Sequence, residues 1–595
     1  MTSLALRQPT DTLEDLLASG MASHRAGRLG EAAGTYRRIL DTEPRHAEAL
    51  HLLGVLHYQI GRFPEAVELI GQSLAIEDGN PAAHNNQANA LKKVGRPREA
   101  LAHYARALEI SPGFRDALLN RAKTLAEIGE ITEAMARYRE FLTAAPDASE
   151  NERLDFGNLL LGAGRLEAAI ECYRDLLRRN PRFGVAYGNL GVALRKAGRL
   201  DEAVATYREG LRLDPFNAGT LNNLAVALSD QDRFREAIAT GFATVSAQPD
   251  YAEAYLNLSL ALTAERRYDE ALVAAERCLR LRPGFAEGRL QRSFCLLMRD
   301  RYPEGFAEYE WRTRMANFPS PLRAFDKPRW DGRDPQGLRI LVHDEQGVGD
   351  ALQFVRYLPM LRDLGARVIL ECNAQITRLL RTVDGAETVV PRGAALPEFD
   401  CYVPLLSLPH LMGTTLGTIP TNIPYVTADP ALVRDWARRL GPKRRLRVGV
   451  VWAGNPEYKA DRLRSPGLRA FLPLFGLRDI EFYALQKGAG RRDFETVGRP
   501  AGLIDLDAEI KDFADTAAAM ANLDIVISSA TGPAHLAGAL GRPLWMVLPY
   551  NECWRWRESG PETPWYPTAR LFRQDRPGNW DSVFAEVRRS LDARR

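Results

Sequence analysis

Four stretches of the sequence hold residue types that chemistry uses, and each follows a short apolar run. In HDEQGVGDALQF, Gly347 and Gly349 allow positive φ and let a ligand approach the backbone closely. Asp350 stands at the mouth of a helix, where a carboxylate also satisfies free N–H groups and complements the dipole. In SSATGPAHLAG, Thr531, Gly532, Pro533 and His535 stand where a strand gives way to a helix. Proline suits the first helical turn, and the unbonded N–H groups there favour a phosphate. His535 is placed to donate to phosphate oxygens or to a departing group; the alternative is a histidine packed on an amphipathic helix. Lys459, Arg462, Arg464 and Ser465 lie in the loop after the run at 446–452. Fixed cations there would stabilise charge building on a leaving phosphate, and arginine can do so with two parallel bonds. A solvated basic loop is the plainer reading. Gln486 and Lys487 end the next run at the same edge, within reach of a base, a ribose or a phosphate. Asp505-Leu506-Asp507 reads as D-x-D, but three residues arise easily by chance and no metal is expected. No G-x-S-x-G, H-E-x-x-H or G-K-[ST] loop is present.

These stretches need strands to carry them. Beyond residue 336, β-branched runs alternate with amphipathic helical stretches: LRILVHD, ARVILEC, LRVGVVWAG, IEFYALQKG, LDIVISS and PLWMVLP. That alternation predicts parallel sheets covered on both faces, with ligand at the carboxyl ends of the strands. The segments 337–430 and 431–595 each have the size of one doubly wound, Rossmann-like unit. The segment 313–336, RMANFPSPLRAFDKPRWDGRDPQG, is rich in Pro, Gly and charge and reads as a linker.

The first half has another organisation. Prolines fall at 44, 112, 146, 181, 215, 249 and 283, at steps of 68, 34, 35, 34, 34 and 34. Alanines at 32, 66, 100, 134, 169, 203, 237 and 271 keep the same period, as do small residues from Gly20 and Gly54 to Ala225 and Ser259. This pattern resembles the tetratricopeptide repeat, a pair of antiparallel helices. The small residue and the alanine let the two helices approach, and the proline ends the second. Eight full repeats span about 11–283 and an imperfect ninth brings the superhelix to 312. The extra residue between Pro146 and Pro181 is expected in the loop at 146–151. Asn86, Asn120, Asn189, Asn223 and Asn257 stand two before the small position, with Asp155 breaking the series. Such a ladder resembles that of the protein O-GlcNAc transferase superhelix, where amides would grip a peptide backbone without reading its sequence. Bonding within the array is the competing reading.

Length and composition bound the class. The chain has 595 residues, 45% hydrophobic and 26% charged, an ordinary globular balance. A net charge of +3 predicts no nucleic-acid partner. No apolar stretch is long enough for an integral membrane segment, and the first residues do not read as a secretory signal. The six scattered cysteines predict buried free thiols in a reducing cytoplasm.

The motifs together resemble a known family. HDEQGVGDALQFVRYLPML and SSATGPAHLAGALGRPLW are similar to the two signatures of family 9, heptosyltransferase-like glycosyltransferases. WAGNPEYKADRLRS and PWYPTARLFRQ are similar to the branch that carries tetratricopeptide repeats in front. The resemblance implies an all-α repeat superhelix followed by an α/β GT-B-like module of two Rossmann-like lobes, working without metal or resident cofactor. It implies a protein glycosyltransferase that docks an acceptor protein on its repeats and moves a sugar from a nucleotide sugar to Ser or Thr. Related bacterial enzymes act on flagellin with nonulosonic acids such as pseudaminic acid, which makes flagellin the acceptor the layout suggests. Asp350 would be the base, with Glu345 second in line, and His535 would act on the donor side. Family members carry an acidic residue before the Thr, where this chain has Ala530, which puts that carboxylate's role in doubt. Two other readings stay open: a lipopolysaccharide or polysaccharide transferase, and an interaction scaffold with a decayed transferase module. Trp554, Trp556, Trp565 and Tyr566 read as packing of the carboxyl-terminal tail across the lobes, ahead of stacking on a sugar or base.

Overall fold

A computed structural model describes residues 12–320, 323–457 and 461–594. Its first eight helix pairs run from Leu13–Arg25 and Leu29–Thr42 to Ala252–Ala264 and Tyr268–Leu281, each pair a helix of 13 residues and one of 14. A ninth pair, Ala286–Met298 and Tyr302–Tyr309, is cut short. The spacing is set by side chains. A methyl group at Gly20, Gly157 or Gly191 would lie 2.7, 2.5 or 2.3 Å from the ring of Tyr36, Tyr173 or Tyr207. In these three repeats the small position is the seat of a tyrosine ring sixteen residues on, and at Gly54 the neighbour is Ile70. The periodic alanines Ala32, Ala66, Ala100, Ala134, Ala169 and Ala203 are fully buried. The extra residue lies in the turn at 145–149, where Ser149 caps the following helix and the buried Arg153 donates to Pro146 O at 2.7 Å.

Inside each pair the chain reverses through one left-handed residue. Gly27, Gly61, Gly95, Gly129, Gly164 and Gly198 hold it with φ between 70° and 85°. One period later the residues are Asp232, Arg266 and Asp300, at φ 59°, 61° and 57°. A side chain in this conformation costs about 1 kcal/mol or more, so these three turns need a compensating contact. Asp232 pairs with Arg462 at 2.6 Å, Asp300 with Arg557 at 2.9 Å, and Arg266 donates to the carbonyl of Glu558. The chain divides into two compact units between Gln231 and Asp232, the step at which glycine leaves the turn. The repeats beyond 231, grouped with the array by period alone, therefore pack with the α/β region. Tyr268, Leu297, Tyr302 and Phe306 share one core with Trp554 and Trp565.

The α/β region holds two all-parallel sheets. The first contains β1 (Arg339–His343), β2 (Arg367–Cys372), β3 (Thr388–Pro391) and β4 (Cys401–Pro404), in the order β3-β2-β1-β4. The second contains β5 (Leu446–Val451), β6 (Ile480–Ala484), β7 (Leu503–Asp505), β8 (Ile525–Ser528), β9 (Leu544–Leu548) and β10 (Ala569–Arg573). Its order is β10-β9-β8-β5-β6-β7. Counted within each sheet these are 3-2-1-4 and 3-2-1-4-5-6, the doubly wound order that reverses beside its first strand. The near-continuous apolar runs are explained by burial on both faces: Val448, Val450, Ile525, Ile527 and Val547 are all essentially inaccessible. Among the described residues no helix is long and apolar enough to cross a membrane. The six cysteines are unpaired; four are buried, whereas Cys172 and Cys553 are only half-buried.

Candidate functional site

Both reversal points lie at strand carboxyl ends, and the singled-out loops leave from them. The loop after β1 enters the helix Val348–Phe354, and the loop after β8 enters the helix Gly532–Ala539. These helix starts meet. A methyl group on Gly349 would lie 2.9 Å from His535 Cδ2 and 3.4 Å from Gly532 Cα. Glycine at 349 is therefore required by close approach. Gly347, just before the first helix, has extended backbone, so positive φ is not its reason. The left-handed residue of that loop is Gln346, at φ 60°. It is held by Ser320 Oγ, which accepts its N–H at 2.7 Å, and by Tyr309, whose hydroxyl lies 3.0 Å from its Nε2.

Asp350 is engaged on both oxygens. Oδ2 accepts the N–H of Gly347 at 3.3 Å, and Oδ1 accepts from Arg555 Nη2 at 2.6 Å. Asp350 is the third residue of the helix and not its cap: Gly347 stands at the cap, and the carboxylate reaches back to its N–H while also taking the arginine. Burial pulls the Arg555 guanidinium down, but Asp350, Cys553 and Tyr309 outweigh it, so it stays charged. Glu345 is buried against Arg312, whose Nε donates to it at 2.9 Å. Burial pushes the Glu345 pKa up and Arg312 opposes it.

His535 is buried, with Nδ1 2.8 Å from the Tyr566 hydroxyl and the Trp556 ring tilted against it at 5.5 Å. Burial, then Arg555, Arg356 and Arg464, hold its pKa well below 6.5, so the ring is neutral at neutral pH. A neutral imidazole can carry a hydrogen-bond donor without carrying charge. Thr531 precedes the helix without capping it through its side chain.

Of the basic loop, Arg464 reaches this place. A methyl on Gly454 would lie 2.8 Å from Arg464 Nη2 and 3.3 Å from Thr531 Cγ2, which puts the guanidinium beside the helix start. Asp461 orients it at 3.0 Å, and Ser465 Oγ accepts the Gly454 N–H at 2.9 Å, shaping the loop. Arg462 is more than half exposed and pairs with Asp232. Lys459 lies outside the described residues.

Gln486 and Lys487 are spoken for. Gln486 accepts from Trp452 N and Ala453 N at 3.0 and 2.9 Å, and donates to Ala453 O and Lys487 O at 3.0 and 2.9 Å. All four of its hydrogen-bonding places are filled by the protein. Its place is a latch across the ends of β5 and β6. Lys487 donates to Asp507 O and Ile510 O, each at 2.9 Å, and pairs with the Asp507 carboxylate at 2.6 Å. The D-x-D pair is likewise occupied by cations, Asp505 by Arg491 and Arg499 at 2.8 Å each.

The asparagine column bonds backwards along the array. Asn86 lies 3.0 Å from His51, Asn120 donates to Asn85 at 3.1 Å, and Asn189 donates to Asn158 at 2.8 Å. Each therefore makes one inter-repeat bond through its amide nitrogen. All five asparagines are half-buried.

Several residues of this site drew no attention in the sequence: Arg555, Gln346, Tyr309 and Glu552. Burial pushes the Glu552 pKa up, and its Oε2 has no partner among the described residues. The tryptophans around Arg555 do pack, as expected: Trp554, Trp556, Trp565 and Tyr566 are buried.

Comparison with known proteins bears on the repeats. A tetratricopeptide-repeat family model matches residues 85–149, 154–218 and 222–284, and a second matches 24–90. Protein FlbA of Caulobacter vibrioides is 28% identical over 321 residues, 48% of this chain and 52% of that protein. The chain thus spans about half the length of the curated relative it matches. Among solved structures, YrrB, described as a tetratricopeptide-repeat protein with an unusual peptide-binding site, is 22% identical, with a TM-score of 0.29. It aligns over 34% of this chain and 99% of its own. A tetratricopeptide-repeat protein from Parabacteroides merdae is 18% identical over 42% of this chain and 98% of its own, with a TM-score of 0.30. Residues 24–284 are tetratricopeptide repeats.

Proposed function

We propose that this chain is a protein glycosyltransferase whose repeats dock an acceptor protein and whose two-sheet module transfers a sugar to a Ser or Thr hydroxyl. The module is read as a GT-B-like unit, the donor as a nucleotide-activated sugar, and flagellin as the acceptor. The observation that carries the reading is the meeting of two helix starts, one from each sheet, around Gly349, Gly532, His535, Asp350 and Arg464. Free N–H groups and one oriented guanidinium suit a diphosphate.

In the reaction the bond from the sugar's anomeric carbon to the phosphate oxygen breaks, and a bond to the acceptor oxygen forms. The hydroxyl proton goes to a carboxylate, for which Asp350 is placed once the acceptor replaces one of its two present partners. Arg464 and neutral His535 stabilise the departing nucleotide. The repeats raise the acceptor's effective concentration, so the contacts at the reacting centre can be few.

The test is to incubate full-length protein with purified flagellin and a panel of nucleotide sugars, and to read the intact mass of the acceptor. A mass increase lost in Asp350→Asn supports the reading; no increase with any donor, and no nucleotide binding, overturns it. The scaffold reading draws on Ala530 and on the doubly engaged Asp350, and would show acceptor binding without any added mass.

A further inference from the structure

We propose that a cavity at the carboxyl ends of β1 and β4 is a second ligand site, built for a small molecule that carries one oxyanion, a carboxylate or a phosphate. The inference does not rest on the transferase reading. The cavity encloses about 170 Å³, enough for several waters or one small polar molecule. It lies where the order of the first sheet reverses, the place at which doubly wound sheets take ligands. One wall comes from the loop after β1, with His343, Asp344 and Glu345, and the opposite wall from the linker.

Three guanidiniums line it: Arg323, Arg329 and Arg392. Each is anchored by a carboxylate and, among the described residues, hydrogen-bonds through one terminal nitrogen only. Arg323 uses Nη1 on Glu371 at 2.6 Å. Arg329 uses Nη2 on Glu310 and on Ser407 at 2.9 Å. Arg392 uses Nη2 on the side chain of Asp344 and on its carbonyl at 2.9 Å. Their remaining N–H groups meet no acceptor among the described residues. Oriented and unclaimed guanidinium donors match the paired oxygens of a carboxylate or phosphate.

With the anchoring Glu310 and Glu371, and with Arg312 on Glu345, four guanidiniums face four carboxylates, so an oxyanion here would be held by unclaimed N–H groups and not by net charge. His343 adds nothing at neutral pH, because burial and the neighbouring arginines pull its pKa down to about 4. The rest of the lining is ring surface: Phe318 and Tyr402, the latter packed with Phe325 at 4.6 Å and with His343 at 6.0 Å. An oxyanion on a ring compound fits both features.

The experiment is isothermal titration of the full-length protein at constant ionic strength with glucuronate, glucose 6-phosphate and neutral glucose. Glucuronate or glucose 6-phosphate is expected to bind at least tenfold more tightly than glucose. Tighter binding of glucuronate identifies a carboxylate ligand, and the reverse a phosphate. The preference should fall at least tenfold in Arg323→Gln. Arg323→Lys, which keeps the charge and loses the fork, should show the same loss if Arg323→Gln fails to fold. Equal binding of all three sugars, or an anion preference untouched by both variants, would overturn the proposal.

Discussion

Gly349 stands against His535 so closely that a single added methyl would sit 2.9 Å from the imidazole Cδ2. The same methyl would lie 3.4 Å from the Gly532 backbone, and the imidazole is buried. Gly349→Ala should therefore wedge the two helix starts apart. We expect a loss of about 1–3 kcal/mol, as for other overpacked sites, and a weakened donor affinity. Chemical denaturation and nucleotide titration check both; unchanged stability would mean that the two helices slide freely.

The buried His343 should contribute to the loss of stability on the acid side. His343 has its pKa pulled down to about 4 by burial, whereas the unfolded chain titrates near 6.5. Between these values the unfolded state binds more protons, so stability falls as pH drops from about 6.5 towards 4, by up to about 1.4 kcal/mol per pH unit. Asp344 and Glu345 are shifted up by burial and act in the opposite sense. The difference between wild type and His343→Gln isolates the histidine. Denaturation at pH 7 and pH 5 should show a shallower pH dependence in the variant; parallel curves would remove His343 from this role.

The charged turns should couple weakly but measurably to their partners. Asp300 and Arg557 pair at 2.9 Å with both side chains partly exposed. A double-mutant cycle of Asp300→Ala and Arg557→Ala should give about 0.2–1 kcal/mol. Asp300→Gly removes the same pair but relieves the left-handed backbone, and should cost less than Asp300→Ala. If glycine is the worse of the two, the turn carries no strain.

The asparagine column allows a split of its two readings. Asn120→Ala, Asn189→Ala and Asn223→Ala together should weaken acceptor binding at least tenfold if the amides face a peptide. Helix content by circular dichroism should hold, since the first two remove one inter-repeat bond each, worth about 1 kcal/mol. Lower melting with unchanged binding would assign the column to the array alone.

What could be read without coordinates follows physical rules. A period repeated eight times leaves little freedom, so Gly20, Ala32 and Pro44 and their counterparts mark helices, packing and turns. Apolar runs between helical stretches likewise suffice for parallel strands. Single side chains at strand ends are another matter. Gln486 has the chemistry of a ligand, yet the last rungs of β5 and β6 use all of it. Arg555 sits among tryptophans that speak for packing, and only the folded chain brings it to Asp350. Pairings between residues distant in sequence leave no local pattern to find.

The change of residue at the charged turns also decides where the molecule can be cut and extended. A truncation at 312 would remove Tyr302 and Phe306, whose rings lie 6.3 and 5.5 Å from that of Trp554, and open the core they share. Upstream of 231 the described turns inside the helix pairs are glycine. Whole periods are expected to be exchangeable there, since each repeat of such an array packs on its neighbours. Those beyond 231 are fixed architecture, and a designed chimera should join its foreign array at Gln231.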